Sequence, residues 1–439
     1  MKKCISFPVD DFNIFKIQML NWVNRFSIFC LLDNRQYDFS KPAFECLLAA
    51  GCSQNPAGKT SIEKQAGNAF DGLQDFYAAN KNEWFFGHFG YDLKNETEKL
   101  YSNHADGIGF NDLHFFVPEI VIQLDDKEVQ IFCENDAKEI YRQITISATE
   151  IEQHVKTAVV IKNKINRENY ISIIEKLRQH ILRGDCYEIN FCQEFFAEDT
   201  DIDPLFIYSH LTALSPNPFS VFYKFNSRYC LCASPERYLK KEGHKVFSQP
   251  IKGTTKRNLQ NTAEDEVAKK YLIESSKEKS ENVMVVDLVR NDLSRICKAG
   301  TVKVDELFGI YSFPQVHQMI STVSGELEED LNWIDCVKAT FPMGSMTGAP
   351  KKKVMELIEQ YEQTKRGLFS GAIGYVKPGG DFDFNVVIRS ILYNAADKYL
   401  SFQSGGGITY NSDPALEYEE SLLKAKAMMK VVEYLNLKR

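Results

Sequence analysis

The sequence lacks any stretch that could span a membrane. Its 439 residues contain no run near the ~20 consecutive apolar residues that a helix needs to cross a bilayer. Lys2 and Lys3 are followed by Asp10 and Asp11 before an apolar block of the kind found in secretory signals can form. We therefore expect no membrane partner and a cytoplasmic location.

Cysteine patterns that bind zinc or form a disulfide framework are also missing. The chain has 11 cysteines, but no two form a CxxC pair and none lies in a compact group with histidine. The usual spacings of a zinc site or of a disulfide-rich domain are therefore excluded. An odd number of scattered cysteines in a large chain suits a reducing compartment.

An excess of basic residues is absent as well. Lys and Arg number 52 against 60 Asp and Glu, which gives a net charge of −8 at pH 7. Nucleic-acid-binding proteins usually carry a basic excess or a basic stripe, and the short lysine run at 351–353 is soon followed by acidic residues. We expect no nucleic-acid partner, although a few placed cations suffice to bind a small anion.

The chain instead contains an irregular mixture of strand and helix patterns. This order favours an α+β fold over repeating βαβ units. A last helix is predicted to begin at Asp413 and Pro414, a good N-cap followed by a good first residue. Helical spacing predicts helices over 137–154 and 168–183, and one or two over 263–294. Apolar runs between turn residues predict strands at 26–32, 120–124, 220–225, 229–233, 371–376, 385–393 and 399–403.

Two polar residues near strand ends are candidates for catalysis. Lys252 lies between Pro250 and Gly253, in a turn that can bring an ammonium group close to a ligand. The alternative for Lys252 is a solvated surface lysine. Glu236 follows an apolar strand, where burial would raise its pKa and make it a general acid. The alternative for Glu236 is an exposed loop residue.

Two predicted helices carry carboxylates that suit a magnesium ion. Glu281 lies beside an apolar run, where a carboxylate is costly to bury without a partner or a metal. Glu417, Glu420 and Lys424 share one helix face because of their spacing. Mg²⁺ prefers a few carboxylates and completes its shell with waters and ligand oxygens. The alternative is an exposed face stabilised by the Glu420–Lys424 pair.

Glycine-rich segments and two further residues complete the candidates. The three glycines at 405–407, and the segment at 344–351, predict turns whose N–H groups can hold an anion. Arg389 interrupts an apolar run and requires a strand edge or an acidic partner, since it keeps its charge. His317 is either a ligand-facing residue or, more commonly, a buried histidine with satisfied ring nitrogens.

The order of these segments along the chain resembles the chorismate-utilising enzyme family. The resemblance is strong over 165–436 and loose over 1–150, so we divide the chain into an N-terminal region, 1–155, and a chorismate-binding catalytic region, 156–439. The family implies an α+β fold of two packed antiparallel β-sheets flanked by helices, as in anthranilate synthase component I. The segments that carry the resemblance are GDCYEIN, ASPERYL, QPIKGT, SENVMVVDLVRNDLSR, FPQVHQMISTVSGEL, GSMTGAPK, FSGAIGY, VVIRS, SGGGI and EYEESLLKAK.

The resemblance to this family implies roles for the candidate residues. The resemblance implies that chorismate binds in a cleft together with Mg²⁺, with Glu281 and Glu420 as direct ligands and Glu417 nearby. It makes Glu236 the general acid and Lys252 a nucleophile. The substrate-binding positions that the resemblance implies are Gly253, Thr254, His317, Ser345, Phe369, Arg389, Gly405, Gly406, Gly407 and Lys424.

Lys252 indicates which branch of the family the chain resembles. The segment PIKGT resembles aminodeoxychorismate synthases, whereas anthranilate synthases typically have alanine in place of this lysine. In the chemistry of this branch, lysine adds at C2 of chorismate and expels the C4 hydroxyl, which Glu236 protonates. Ammonia then adds at C4 and expels the lysine. Because the amine must be neutral to attack, we expect the pKa of Lys252 to be depressed.

Some features depart from the related branches. Glu188 stands where both ammonia-using branches usually have glutamine, and where isochorismate and salicylate synthases have a lysine that activates water. The segments at 31–33 and 215–220 differ from those of tryptophan-regulated anthranilate synthases, which argues against feedback inhibition by tryptophan.

A source of ammonia is not evident in the chain. No amidotransferase signature is visible, so we expect a separate glutamine amidotransferase subunit to supply ammonia. Two alternatives remain for the function as a whole. One is anthranilate synthase component I, and the other is a non-catalytic relative that binds chorismate or tryptophan and regulates a partner.

Overall fold

The computed structural model of the chain describes residues 2–37, 44–52, 60–64, 67–152 and 158–437. In these ranges, none of the helices is long and apolar enough to cross a bilayer. The helices are α1 (Phe12–Val23), α2 (Ala69–Ala79), α3 (Lys94–Thr97), α4 (Ala137–Thr145), α5 (Arg167–Leu182), α6 (Pro204–Leu214), α7 (Thr262–Glu274), α8 (Ser276–Leu293), α9 (Trp333–Thr340), α10 (Lys351–Tyr361) and α11 (Pro414–Leu437), with 3-10 turns at Tyr91–Leu93 and Gly344–Met346.

The strands form two antiparallel sheets. They are β1 (Lys3–Pro8), β2 (Ile28–Asp33), β3 (Cys46–Cys52), β4 (Ser61–Lys64), β5 (Phe85–Phe89), β6 (Leu113–Phe116), β7 (Pro118–Leu124), β8 (Glu128–Cys133), β9 (Lys162–Asn163), β10 (Glu188–Ala197), β11 (Phe219–Phe225), β12 (Arg228–Ser234), β13 (Arg237–Glu242), β14 (Lys245–Gln249), β15 (Ile251–Lys256), β16 (Lys303–Ser312), β17 (Val316–Glu326), β18 (Gly348–Ala349), β19 (Ala372–Val376), β20 (Phe382–Asn385), β21 (Ser390–Asn394) and β22 (Tyr399–Ile408).

Among the described residues, the larger sheet has 12 strands and the smaller has 10. The order in the larger sheet is β1-β8-β7-β3-β2-β11-β12-β21-β22-β10-β18, with β9 paired to β10. The order in the smaller sheet is β15-β17-β14-β13-β20-β19-β5-β6-β4, with β16 paired to β17. Every one of these pairings is antiparallel.

The N-terminal and catalytic regions share both sheets. In the larger sheet β2 pairs with β11, and in the smaller sheet β5 pairs with β19. The division at 155/156 itself lies outside the residues that the structure describes. The division therefore separates two parts of the sequence that resemble the family to different degrees. It does not separate two units of the fold, because strands from both parts build each sheet.

The core consists of apolar layers on both faces of the larger sheet. Leu47 on β3 belongs to the same buried cluster as Phe89 on β5 of the smaller sheet. Its neighbour Leu48 belongs instead to a second cluster, which contains Leu20 of α1 and Phe206 of α6. Successive strand residues point to opposite faces, so both faces of this sheet are covered. The larger sheet therefore lies between the smaller sheet and a layer of helices.

Several predicted elements are confirmed. The pattern over 263–294 is two helices, α7 and α8, with Ser275 between them as the N-cap of the second. Helix α5 ends just before Gly184, which has a φ of 82°. The carboxylate of Asp413 accepts hydrogen bonds from the N–H groups of Ala415 and Leu416, so it caps α11 as expected.

Two predicted elements were wrong in extent. The run at 385–393 is not one strand, because β20 ends at Asn385 and β21 begins at Ser390, and the link passes from the smaller sheet to the larger. The helix predicted over 137–154 ends at Thr145, although 153 and 154 lie outside the described residues. Ile144 is the last buried apolar residue of that helix, and the next, Ile146, is 68% exposed. Residues 148–150 are exposed, so the apolar face of the helix is interrupted after Ile144 and does not stabilise a longer helix.

Candidate active site

Lys252 on β15 is largely withdrawn from solvent, so the alternative of a solvated surface lysine was wrong. Its side chain is 11% exposed, and Nζ donates a hydrogen bond to Oε1 of Glu188 at 2.6 Å. The other carboxylate oxygen, Oε2 of Glu188, is buried and has no hydrogen-bond partner among the described residues. Because β15 belongs to the smaller sheet and β10 to the larger, this ion pair joins the two sheets.

The pKa of Lys252 is raised, which is the opposite of the sequence-based expectation. Burial acts to lower this pKa, but the carboxylates of Glu188 and Glu281, with a smaller effect of Glu236, outweigh burial. The expectation of a depressed pKa was therefore wrong for the protein without substrate. Its physical reason is the set of carboxylates that distant parts of the chain bring to the amine, which its local sequence does not contain.

Glu236 is buried in the link between β12 and β13. Burial raises its pKa to about 7, while Ser345 and Lys252 act to lower it. The Ser345 hydroxyl is itself buried, and its geometry falls short of a hydrogen bond to any partner in the described part of the chain. A carboxyl group with this pKa still holds its proton close to neutral pH, as a general acid must. Its role as the acid stays a prediction.

The predicted metal ligands lie on two helices, α8 and α11. Burial raises the pKa of Glu281 to about 7, and its side chain is 14% exposed. Burial also raises the pKa of Glu417, whose Oε1 accepts a hydrogen bond from the Ser412 hydroxyl at 2.7 Å. Nζ of Lys424 lies 2.7 Å from Oε1 of Glu420 and lowers the pKa of that carboxyl. The negative charges of Glu281 and Glu417 are thus less well compensated by neighbouring cations than that of Glu420.

The carboxylates of α8 and α11 are donors of the type that Mg²⁺ uses. Lys277 places Nζ 3.8 Å from Oε1 of Glu281, and although burial acts to lower its pKa, Glu281, Glu417 and Glu420 raise it. In the described ranges, no three His, Cys, Asp or Glu side chains lie as close together as the ligands of a bound metal. Mg²⁺ commonly uses only one or two carboxylates, with waters and substrate oxygens completing its shell. Glu281 and Glu420 suit such an incomplete site.

The triple glycine lies within strand β22, so the predicted turn at 405–407 was wrong. A Cβ on Gly407 would lie 2.5 Å from Oε1 of Glu188 and 2.8 Å from Nζ of Lys252, closer than real Cβ contacts. A Cβ on Gly406 would lie 3.1 Å from Oε2 of Glu417. Successive strand residues face opposite sides. The glycines therefore let the lysine–glutamate pair and the α11 carboxylates approach the two faces of one strand.

Two cations lie at the junction of β22 and α11. Nζ of Lys424 donates a hydrogen bond to the carbonyl oxygen of Gly405 at 3.0 Å. Nη1 of Arg389 donates to the carbonyl oxygen of Lys424 at 3.0 Å. Burial lowers the pKa of Arg389, and Glu420 acts in the opposite sense. Arg389 has a φ of 54°, a strained value for a residue other than glycine, where the chain passes between the sheets.

The remaining predicted binding residues differ in their surroundings. His317 is buried, and its ring nitrogens contact the Ser312 hydroxyl at 2.7 Å and Oδ1 of Asp265 at 3.2 Å. These contacts support the simpler interpretation of a satisfied buried histidine. Phe369 is buried in the apolar cluster shared by the two sheets, and Thr254 is exposed on β15.

Ser345 and Gly253 lie where the backbone comes close to side chains of neighbouring elements. The carbonyl oxygen of Ser345 accepts a hydrogen bond from Nδ2 of Asn190 on β10 at 3.0 Å. Gly253 has a φ of 95°, and a Cβ there would lie 3.1 Å from Oε2 of Glu278 on α8. Larger residues would therefore disturb the packing of α8 on β15.

Comparison with known proteins identifies the family over most of the chain. The sequence profile described as chorismate binding enzyme matches residues 29–430. The chain belongs to the chorismate-binding enzyme family. The family resemblance inferred from the ordered segments is thereby confirmed.

Individual relatives of this chorismate-binding enzyme carry two activity names. It is 34% identical to the anthranilate synthase component I-like protein of Synechocystis, over 80% of this chain and 72% of that protein. It is 32% identical to aminodeoxychorismate synthase component 1 of Bacillus subtilis, over 79% of this chain and 76% of that protein. Family membership alone therefore leaves the product open.

A solved structure confirms the fold of this chorismate-binding enzyme. The crystal structure of anthranilate synthase component I from Streptococcus pneumoniae matches with a TM-score of 0.75 and 28% identity, over 89% of this chain and 93% of that one. The expected architecture, two packed antiparallel sheets flanked by helices, is confirmed by this likeness and by the sheet topology.

Two polar residues of this chorismate-binding enzyme, which its sequence patterns did not single out, lie near the site in the fold. Lys277 escaped notice because its charged neighbours on α11 are more than a hundred residues away along the chain. Gln318 is buried opposite Thr254 in the strand pairing, with Oε1 lacking a partner among the described residues. An uncharged polar residue inside an apolar strand pattern was the available signal for Gln318.

A separate cavity lies between the sheets, in the region whose sequence argued against tryptophan regulation. Asp33 and Arg237 both line it. Nζ of Lys16 lies 2.6 Å from the Asp33 carboxylate, and Nε of Arg237 lies 2.9 Å from Asp383. These charged groups are therefore already paired within the protein.

Proposed function

We propose that this enzyme is aminodeoxychorismate synthase component I, which replaces the C4 hydroxyl of chorismate with an amino group from ammonia. The observation that carries the proposal is the position of Lys252, an amine buried where the two sheets meet. A buried amine that acts as a nucleophile needs a proton acceptor and an acid for the leaving group. Glu188 bonds to Lys252, and Glu236 lies within electrostatic range of it. Relatives named aminodeoxychorismate synthase component 1 lend further support.

The proposed chemistry assigns a step to each of two residues. The neutral amine of Lys252 forms a bond to C2 of chorismate, the ring double bond shifts, and the C4–O bond breaks. Glu236 gives its proton to the departing hydroxyl, which leaves as water. Ammonia then bonds to C4, the double bond returns, and the C2–N bond breaks to release the lysine amine. The Glu236 carboxylate takes the surplus proton from the new amino group, which restores the acid.

The same site has groups for the two carboxylates of chorismate. Lys424 and Arg389 are the chain's own cations at the β22–α11 junction. Mg²⁺ would be held by Glu281 and Glu420, with Glu417 nearby, and would supply positive charge next to a substrate carboxylate. We also propose that a separate glutamine amidotransferase subunit delivers ammonia to this site.

Product analysis tests the proposal. Purified protein is incubated with chorismate, Mg²⁺ and an ammonium salt, and the products are separated and identified by mass. We expect 4-amino-4-deoxychorismate, which retains the enolpyruvyl group, and therefore no release of pyruvate. Replacing the ammonium salt with glutamine and a glutamine amidotransferase subunit tests the proposed partner, which should restore the same product.

The second candidate is anthranilate synthase component I. The likeness to the Streptococcus pneumoniae structure of that name favours it. It forms anthranilate with release of pyruvate, so a coupled pyruvate assay separates the two candidates directly. Failure to consume chorismate in either form of the assay would favour the non-catalytic relative.

A further inference from the structure

Glu188, the first residue of β10, has an incomplete set of hydrogen bonds for a buried carboxylate. It is 3% exposed, Oε1 accepts a hydrogen bond from Lys252, and Oε2 has no partner in the described part of the chain. Buried polar atoms without partners are rare in folded proteins, and each requires an explanation. The negative charge of a carboxylate with one unpartnered oxygen is incompletely stabilised, which makes the group a stronger proton acceptor.

Packing holds Glu188 and Lys252 against each other. The absence of a side chain at Gly407 leaves room for both groups, since a Cβ there would meet both of them. The other charged groups that interact with Lys252 are Glu236, Glu278, Glu281 and Glu420. In the described ranges, only Glu188 forms a hydrogen bond with Nζ. It is therefore the group through which a proton can leave the amine without passing through solvent.

We propose that Glu188 is the base that takes a proton from Lys252 and so makes its amine a nucleophile, an inference that rests on the proposed function. The proton directed at Oε1 moves from Nζ to the carboxylate, which leaves a neutral amine and a neutral carboxyl group. The lone pair of the amine forms the bond to C2 of chorismate. When the C2–N bond later breaks, the amine is released and the proton returns from Glu188 to Nζ.

Burial acts in favour of this transfer, because desolvation penalises both charges of an ion pair. In the protein without substrate the surrounding carboxylates outweigh this effect and keep the amine charged, so the transfer accompanies the attack on chorismate. A different role for Glu188 is that of a counter-ion that only keeps Lys252 charged. The two roles predict opposite effects of Glu188→Gln on the rate. Loss of a counter-ion increases the neutral fraction of the amine and the rate, whereas loss of a base lowers the rate.

The test compares the wild type and Glu188→Gln across pH. The rate of 4-amino-4-deoxychorismate formation is measured at saturating chorismate and Mg²⁺ with an ammonium salt. At neutral pH we expect kcat of the variant to be lower by roughly 10²–10⁴-fold, the usual contribution of general acid–base catalysis. The KM for chorismate should stay within about threefold, since substrate binding is retained. The deficit relative to the wild type should shrink about tenfold per pH unit, as solvent removes the proton instead.

Glu194 on the same strand provides a matched control. It is 5% exposed and its Oε2 likewise has no partner among the described residues, but its Oε1 accepts hydrogen bonds from Tyr399 and Ser401. Glu194→Gln should leave the pH dependence of the rate unchanged. Glu188→Asp retains a carboxylate and should keep the wild-type pH dependence at a reduced rate. Thermal unfolding of each variant checks that it is folded.

Each outcome decides between the alternatives. A Glu188→Gln variant as fast as the wild type, or faster, would overturn the role of Glu188 as a base while leaving the proposed function intact. A deficit that is the same at every pH would also overturn it, because that result indicates misplacement of Lys252 rather than loss of a proton acceptor. If the wild type forms no 4-amino-4-deoxychorismate, the proposed function is contradicted, and the role of Glu188 as a base is contradicted with it.

Discussion

Two buried ion pairs contact β10, and they differ in how completely they are hydrogen-bonded. Arg366 donates from Nη2 to Oε1 of Glu362 at 2.6 Å and from Nε to Oε2 at 3.0 Å. It also donates to the carbonyl oxygens of Met346 and Asn190. Oε1 of Glu362 accepts a further bond from the Cys192 N–H at 2.9 Å. Both carboxylate oxygens of this pair are thus occupied.

The pair between Lys252 and Glu188 contrasts with it. One hydrogen bond joins the two side chains, and one carboxylate oxygen is left without a partner among the described residues. A buried pair stabilises a fold only when its hydrogen bonds are complete. The Arg366 pair therefore suits a structural role. The Lys252 pair, with one carboxylate oxygen unpartnered, suits a role in proton transfer.

The largest expected effect is that of removing Lys252. Lys252→Ala should lower the rate of 4-amino-4-deoxychorismate formation by at least about 10⁴-fold, because the proposed nucleophile is absent. Product analysis by mass measures this loss. Lys252→Arg is the matched control, since it keeps a positive charge beside Glu188 but cannot become a neutral amine, and it should be equally inactive. A Lys252→Ala enzyme with near wild-type rate would contradict the role.

Breaking the structural pair should affect stability instead. Arg366→Met leaves the buried Glu362 carboxylate unpaired and should lower the free energy of unfolding by about 3–5 kcal/mol. Urea unfolding followed by circular dichroism measures the change. The double variant Arg366→Met with Glu362→Leu removes the unpaired charge and should recover much of the loss. Equal stability of Arg366→Met and wild type would mean that the complete hydrogen bonding of this pair contributes little.

A smaller effect is expected for metal binding. Glu420→Gln should weaken Mg²⁺ binding by about 10–100-fold, because a neutral amide is a poorer ligand for a hard cation than a carboxylate. Isothermal titration of the purified protein with Mg²⁺ measures the affinity. The neighbouring Glu419→Gln is the control, since Glu419 is exposed on the same helix. Unchanged affinity in Glu420→Gln would remove this residue from the proposed metal site.

The smallest expected effect is the pH dependence that follows from the pKa of Glu236. Because its folded-state pKa is about 7, the protonated acid dominates below that pH and is lost above it. At a fixed concentration of free ammonia, kcat/KM for chorismate, which reports on the substrate-free enzyme, should be nearly constant below about pH 7 and fall about tenfold per pH unit above it. Glu236→Gln should be slower and lack this inflection. A wild-type rate that stays constant well above pH 7 would contradict the assignment.

Local pattern predicted much of this fold. Helix α5 and the cap of α11 follow from apolar spacing and from the chemistry of Asp413, which act over a few residues. The link between β20 and β21 was not predictable in this way, because Val386 and Val387 are apolar whether they continue a strand or cross between sheets. The competing sheets decide that outcome, and their positions depend on the whole chain.

The candidate site shows the same limit. The family resemblance assigned Lys252, Glu236, Glu281 and Glu420 to one site, and in the structure Lys252 interacts electrostatically with all three carboxylates. The predicted direction of the pKa shift of Lys252 was wrong, because that shift depends on distances to Glu188 and Glu281 that no local pattern encodes. The open oxygen of Glu188 likewise becomes visible only from hydrogen-bond geometry.

The place of β21 and β22 in the larger sheet has a consequence for the synthesis of the chain. These two strands lie between β12 and β10, which precede them by more than 150 residues in sequence. A ribosome therefore releases β10 and β12 long before the strands that fill the gap between them, and their unpaired edges stay open during that time. The glycine strand of the site is among the last to be made. A nascent chain thus acquires its active site and loses its aggregation-prone edges in one late step.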